Sequence, residues 1–317
     1  MADLGALFLQ GSAVLGFIAV SAMYLVWLER KVSAVIQNRM GPMIVGWHGS
    51  LQTVADVVKL LLKENIVPTG VDKLAWWLAP FFVMVPPVMA FLCIPFGQKL
   101  IVNDLNVGIL YIASVTSVCV LGIFMAGWGS NNKYSLLGGM RSAAQIISYE
   151  VPLLLSITLV VMHTGTLSMQ GIVAAQAHGW FILKPGLALA FLVYLISATA
   201  EVNRVPFDIP EAESELGAGY HTEYTGMKFA IFFLSEYTNV FIVSSVAATL
   251  FLGGWQGPFL PPLVWFLLKV YGIIFFLMWV RWTLPRVRMD QMMAFAWKFL
   301  TPLALLNILV SGWALVK

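Results

Sequence analysis

Residues 201–223 read Glu201-Val-Asn-Arg-Val-Pro-Phe-Asp-Ile-Pro-Glu-Ala-Glu-Ser-Glu-Leu-Gly-Ala-Gly-Tyr-His-Thr-Glu223. They hold six of the chain's fifteen acidic residues: Glu201, Asp208, Glu211, Glu213, Glu215 and Glu223. Arg204 is the single Lys or Arg among them. On both sides the sequence turns apolar: 185–200 carries no charge, and Glu236 is the one charge in 229–255. An acidic patch between two such stretches is costly unless its carboxylates share protons, pair with cations or face water. The stretch therefore points to a membrane-embedded chain whose chemistry concerns protons or cations.

Composition agrees. The 317 residues are 60% hydrophobic and 10% charged, where a soluble domain carries about 25% charged residues. A helix needs roughly 20 apolar residues to cross the hydrocarbon core. Eight stretches qualify: 4–28, 76–97, 107–128, 143–163, 185–203, 229–252, 262–282 and 294–315. The expected fold is all-α and polytopic, one membrane domain over 1–317 with about eight spans. The first run ends at Glu29-Arg30-Lys31 without a small-residue cleavage site, so it reads as a retained span. Cys93 and Cys119 stand apart within apolar runs, which fits neither a disulfide framework nor an iron–sulfur pattern. The four histidines lack metal-ligand spacing, so no metal site is expected. The net charge of +3 follows from where Lys and Arg flank the spans and does not argue for nucleic acid. Gly41-Pro42, Gly138-Gly139 and Gly217-Ala-Gly219 read as tight turns without a phosphate-loop pattern.

Fourteen of the eighteen Lys and Arg residues fall in or beside the connections after spans one, three, five and seven. By the positive-inside rule those connections face the cytoplasm and both termini face outward. In the first of them, 51–64 has helical periodicity. Gln52, Asp56, Lys59 and Lys63 share one face, and Leu51, Val54, Val58, Leu61 and Leu62 the other. Too short and charged to span, it reads as an amphipathic helix that lies in the interface or covers another helix of the fold.

Glu150, Glu236 and Lys269 sit inside spans, where an ionisable residue costs at least ~2.5 kcal/mol and is a functional candidate. Glu150 and Glu236 follow the basic flanks Arg141 and Lys228 by about eight residues, hence ~12 Å of depth at 1.5 Å per residue. With Glu201 they extend the carboxylates of the acidic loop, 201–227, towards mid-membrane. Pro206 predicts a helix break near Arg204 or Val205, and Asp208 with Glu211 has capping-box spacing. Capping explains part of the acidity, but not Glu201, Glu215 or Glu223. Crowded carboxylates share protons, which suits a proton relay. Arg30, Arg39, Arg204, Arg281, Arg286 and Arg288 gather at the cytoplasmic boundary, where some are expected to pair with these acids and others to dock an acidic partner.

Several longer motifs resemble one family. They are Gln37-Asn-Arg-Met-Gly-Pro42, Asn132-Lys-Tyr-Ser-Leu-Leu-Gly138, Met140-Arg-Ser-Ala-Ala-Gln145 leading to Ser148-Tyr-Glu150, Glu201 to Asp208 with Pro210 to Leu216, and Leu284-Pro-Arg-Val-Arg-Met-Asp-Gln291. From Glu29 to its last span, the chain is similar to the membrane subunit designated H in NADH:quinone oxidoreductase, respiratory complex I, whose mitochondrial counterpart is subunit 1. It departs from the family at Met43-Ile44, where Asn-Arg is usual.

The resemblance implies a subunit of the bacterial inner membrane at the heel of the membrane arm, beneath a docked peripheral arm. Its partners would be the other membrane-arm and peripheral-arm subunits, lipid and quinone, with no nucleic acid. Its spans and amphipathic helix would form much of the quinone chamber, with Arg30, Arg39, Asp56, Arg204, Arg281, Arg286 and Arg288 at the chamber or the docking surface. Glu150, Glu201, Glu211, Glu213, Glu215, Glu223 and Glu236 match the acidic path to proton pumping, and Asp208 lies with Arg204 in the loop that meets quinone and coupling elements. Quinone is the expected substrate. No cofactor is expected on this chain, FMN and iron–sulfur clusters being those of partner subunits. The equivalent chain of a hydrogenase-linked or ferredoxin-linked complex, or a stand-alone ion-coupled transporter, is the alternative.

Overall fold

The computed structural model describes residues 4–210 and 213–316. Among them there are helices and no strand. The long apolar helices are α1 (Leu4–Ile36), α3 (Lys73–Ala90), the kinked pair α4 (Gly108–Ser117) and α5 (Cys119–Gly129), α6 (Lys133–Thr164), α8 (Pro185–Glu201), α10 (Gly226–Phe251), α11 (Pro262–Thr283), and α12 (Met289–Phe295) running through a π-helical turn into α13 (Thr301–Val316). Shorter helices are α2 (Gln52–Leu62), α7 (Met169–Ala174) and α9 (Glu213–Leu216). Seven of the helices are long and apolar enough to cross a membrane, and the helix Pro185–Glu201 adds a shorter apolar one. The chain is a multi-pass membrane protein.

The basic connections meet at one end of the bundle. The Ile66 amide donates to Thr225 Oγ1 at 3.0 Å. Asn132 Nδ2 donates to Glu223 at 2.6 Å, and the Val287 amide to the Pro206 carbonyl at 3.0 Å. At the opposite end Gln176 and Gln256 donate to backbone carbonyls of facing elements. Between the two ends lies an apolar core of Leu25, Phe91, Phe241, Phe251, Phe266 and Val270, all at most 2% exposed.

Helix boundaries follow local chemistry. Asp72 and Asn132 cap α3 and α6 by accepting from the amides of Leu74 and Tyr134. Gly165 ends α6 in the left-handed conformation, φ 67°. Gly138-Gly139 forms no turn: both lie inside α6, which starts well before its apolar part. A Cβ on Gly138 would stand 2.9 Å from the Tyr220 amide nitrogen, so glycine is what lets the acidic connection rest on the helix.

The amphipathic helix α2 turns Thr53, Gln52 and Asp56 toward the bundle. Its apolar residues Leu51, Val54, Val58, Leu61 and Leu62 face outward, between 43% and 83% exposed. Of the two readings of this helix, an apolar face covering other helices of this chain is thereby excluded.

Lys269, an in-span candidate by sequence, has a structural post. Its ammonium donates to the carbonyls of Leu252, Gly254 and Gln256 at 2.6, 2.9 and 2.7 Å and lies 4.9 Å from the Trp180 ring centroid. It therefore satisfies carbonyls of the connection that follows α10, which have no helical donors. Replacing it by methionine strands three carbonyls, so Lys269→Met is expected to lower the unfolding free energy in detergent by about 3 kcal/mol. Thermal unfolding of the two proteins checks this.

Candidate functional site

In α1 the buried stripe Ile18, Ala22 and Leu25 continues at helical spacing into Glu29, which is 4% exposed. A carboxylate so placed needs cations, and two meet it. Arg204 Nη1 lies 2.6 Å from Glu29 Oε2, and Arg281 Nη1 lies 2.6 Å from Oε1. Arg204 Nη2 also faces Glu236 Oε1 at 3.0 Å, with Arg281 at 3.8 Å from the same atom. Two arginines and two glutamates thus alternate across α1, the loop after α8, α10 and α11. The Arg204 guanidinium stacks 4.6 Å from the Tyr237 ring centroid. Losing one member of a buried pair typically costs 3–5 kcal/mol, because the survivor keeps its desolvation penalty. The four side chains are therefore committed as a unit.

The loop after α8 is shaped by this unit. Helix α8 ends at Glu201, three residues before the expected break, and Asn203 takes φ 53°. Gln145 of α6 donates to the carbonyls of Ala200 and Phe207, both at 2.7 Å, and Asn203 donates to Ser142 at 3.0 Å. Asp208 does not begin a helix as its capping spacing suggested. It turns inward, 5% exposed, and its Oδ2 lies 3.3 Å from Arg286 Nη2. Burial holds the Asp208 carboxyl up at about 6, against the pull of Arg286 and Arg281.

Below the ion network two small cavities adjoin. The larger, about 50 Å³, is lined by Glu201, Asn203, Ser235, Glu236, Asn239 and Cys119 among others. The second, about 30 Å³, is walled by Leu153, Ile157, Tyr194 and Val246. Thr116, Glu201, Ile242 and Val243 line both. A water needs roughly 10–15 Å³ of such space and two to four polar partners, which the upper cavity offers. Glu150 lies beside this region on α6 and accepts a hydrogen bond from the Ser117 hydroxyl.

The other sequence candidates lie further out. Arg30 pairs with Asp56 at 2.6 Å, linking α1 to α2. Arg141 pairs with the largely exposed Glu215 at 2.7 Å. Glu223 is held by Asn132, Arg39 bonds Gln37 at 2.6 Å, and Arg288 faces Asp290 at 3.6 Å on the surface. Glu211 lies outside the described residues, and Glu213 enters only through its backbone in α9. Sequence reasoning missed Glu29, Ser117, Gln145 and Asn239. For Glu29 a signal was available, its register with the apolar stripe of α1. Among the described residues no group of three His, Cys, Asp or Glu is placed to hold a metal.

Residues 9–312 match the family model described as NADH dehydrogenase. A Dehalococcoides mccartyi protein, named as the subunit designated H of NADH-quinone oxidoreductase, is 54% identical over 301 residues, 95% of this chain and 84% of the relative. A Geobacter sulfurreducens protein, named as the subunit designated H 2 of the same enzyme, is 51% identical over 304 residues, 93% of this chain and 92% of the relative. A Carboxydothermus hydrogenoformans protein with the same designation as the first is 50% identical over 307 residues, 95% and 87% of the two chains.

The Asp208 carboxyl, at about 6 in the fold and 3.8 when exposed, favours the folded state below the lower value. That contribution is lost as pH rises through the upper one. Asp208→Asn removes the titration. Its advantage in stability over the parent is expected to grow between about pH 4 and pH 6, by at most about 3 kcal/mol, and to stay level above. Thermal unfolding across that range measures it.

Proposed function

The chain belongs to the NADH dehydrogenase family as the H-type membrane subunit of NADH-quinone oxidoreductase. From that membership we propose that it forms much of the quinone chamber, and that its carboxylates carry protons in step with quinone reduction. The observation that carries this reading is Glu201, which lines both cavities directly beneath the Glu29–Arg204–Glu236–Arg281 network. Reducing a quinone draws protons to its oxygens. A carboxylate that gives one up becomes anionic and favours protonation from the next acid or water. The alternating network suits this use, because a change of charge on Glu236 alters the balance felt by both arginines. The water-sized space at Glu201 continues the line toward Glu150 through the polar side chains of α4.

Electrons are the work of partner subunits on this reading. Cluster ligation commonly takes four thiolates, whereas Cys93 and Cys119 are both buried and free, so these residues do not fit an iron–sulfur group. FMN and the clusters belong to other chains, and this one is a non-redox subunit of the translocase. It lies in the bacterial inner membrane with the basic end toward the cytoplasm, where the peripheral arm docks, and with its termini outside. The outward apolar face of α2 meets lipid and the quinone tail at the entrance. Arg30 and Asp56 fix that helix from within, while Arg39, Arg286 and Arg288 serve the docking side.

Glu201→Gln and Glu236→Gln, each in the assembled complex, test the reading. Both are expected to lower NADH-driven proton translocation in liposomes by about tenfold or more, while NADH oxidation by an artificial acceptor in the peripheral arm stays at the parent rate. Full proton translocation in both variants contradicts the relay.

A further inference from the structure

Ser117 closes α4 at the point where the helix changes pitch. The Val118 amide bonds to the Val115 carbonyl at 3.2 Å and the Leu121 amide to the Val118 carbonyl at 3.1 Å, three residues back instead of four. The Ser117 hydroxyl has two acceptors in reach: the Ala113 carbonyl at 2.9 Å, one turn back, and Glu150 Oε1 on α6. A serine hydroxyl carries one hydrogen and two lone pairs, so it donates to one of these at a time and still accepts.

We propose that Ser117 is a positioning residue for Glu150 that serves both charge states of the carboxylate. With Glu150 ionised, the Ser117 hydrogen points to the carboxylate. With Glu150 protonated, the carboxyl O–H donates to Ser117 Oγ and the serine hydrogen swings to Ala113. No proton is exchanged between the two side chains; the hydrogen bond reverses its direction. Glu150 thereby gains and gives up a proton without leaving either state unmet among apolar helices, where an orphaned polar group is expensive. The inference rests on the reading of Glu150 as part of the proton path.

A serine bonded to the carbonyl four residues back is common in helices and by itself only bends them. The same helix supplies the comparison. Ser114 bonds back to the Leu110 carbonyl at 2.8 Å in the same way, on an exposed face, with no ion pair or carboxylate bond among the described residues. A bending role predicts equal consequences at the two serines, and a role toward Glu150 predicts consequences at Ser117 alone.

The test uses the complete complex in liposomes, with NADH-driven proton translocation and redox-difference infrared spectra of the carboxyl region. Ser117→Ala is expected to reduce translocation about tenfold, as befits the loss of a hydrogen bond to a charged group. It should also shift the carboxyl band that Glu150→Gln abolishes. Ser117→Thr restores both, and Ser114→Ala behaves as the parent. In a Glu150→Gln background Ser117→Ala adds nothing further. Parent-like translocation with an unmoved band in Ser117→Ala overturns the proposal, as does an undiminished effect in the Glu150→Gln background. If Ser117→Ala does not assemble, Ser117→Cys, a weaker donor, is compared with Ser117→Thr, and equal translocation in those two overturns it. Full translocation in Glu150→Gln itself removes the reading of Glu150, a result separate from any at Ser117.

Discussion

A carboxylate cannot remain ionised among apolar helices unless cations stand against it, and Glu29 is where this constraint governs the molecule. Its two oxygens each take an arginine at 2.6 Å, and those arginines arrive from distant parts of the sequence, Arg204 from the loop after α8 and Arg281 from α11. Glu236 completes the alternation from α10. Four elements are thus tied together at one point. Buried ion pairs are poor sources of net stability, since desolvation consumes most of the attraction. On the proposed reading they are a cost carried for function: a set of charges near one another, each sensitive to the protonation of its neighbours.

That network fixes what lies beneath it. Arg204 is held, so the chain leaving α8 turns at once, and Gln145 ties both sides of the turn to α6. Glu201, the last residue of α8, is left facing space large enough for water instead of packing against another helix. The kink of α4 and α5 places Thr116 at the junction of the two cavities and Ser117 against Glu150. At the far end Lys269, Gln176 and Gln256 are bound to backbone carbonyls.

Much of the fold could be read from the sequence because hydropathy and length decide a membrane helix almost unaided. The amphipathic α2 and the acidic connection were equally plain from periodicity and charge. What the sequence concealed was pairing. Glu29 looked like the first member of a charged flank, and only the packing of α1 shows that it shares the face of Leu25. Asp208 had capping spacing, but local spacing does not reveal a guanidinium arriving from Arg286, 78 positions further along the chain and adjacent in the fold. Gly138-Gly139 resembled a turn because the polar start of α6 hides the helix from a hydropathy count. Ser117 is indistinguishable in sequence from any helical serine. Sites assembled from residues distant along the chain are the part that pattern reading loses.

On the proposed reading the adjoining cavities at Glu201, the upper with polar walls and the lower mostly apolar, carry protons between the ion network and the interior acids. Thr116→Leu tests it without altering a charge, since residue 116 lines both cavities and leucine fills their junction with hydrocarbon. The measurement is the number of protons translocated per NADH by the assembled complex in liposomes, with electron entry followed separately through an artificial acceptor. Electron entry is expected to persist while translocation falls steeply. Full translocation with the junction filled would contradict it.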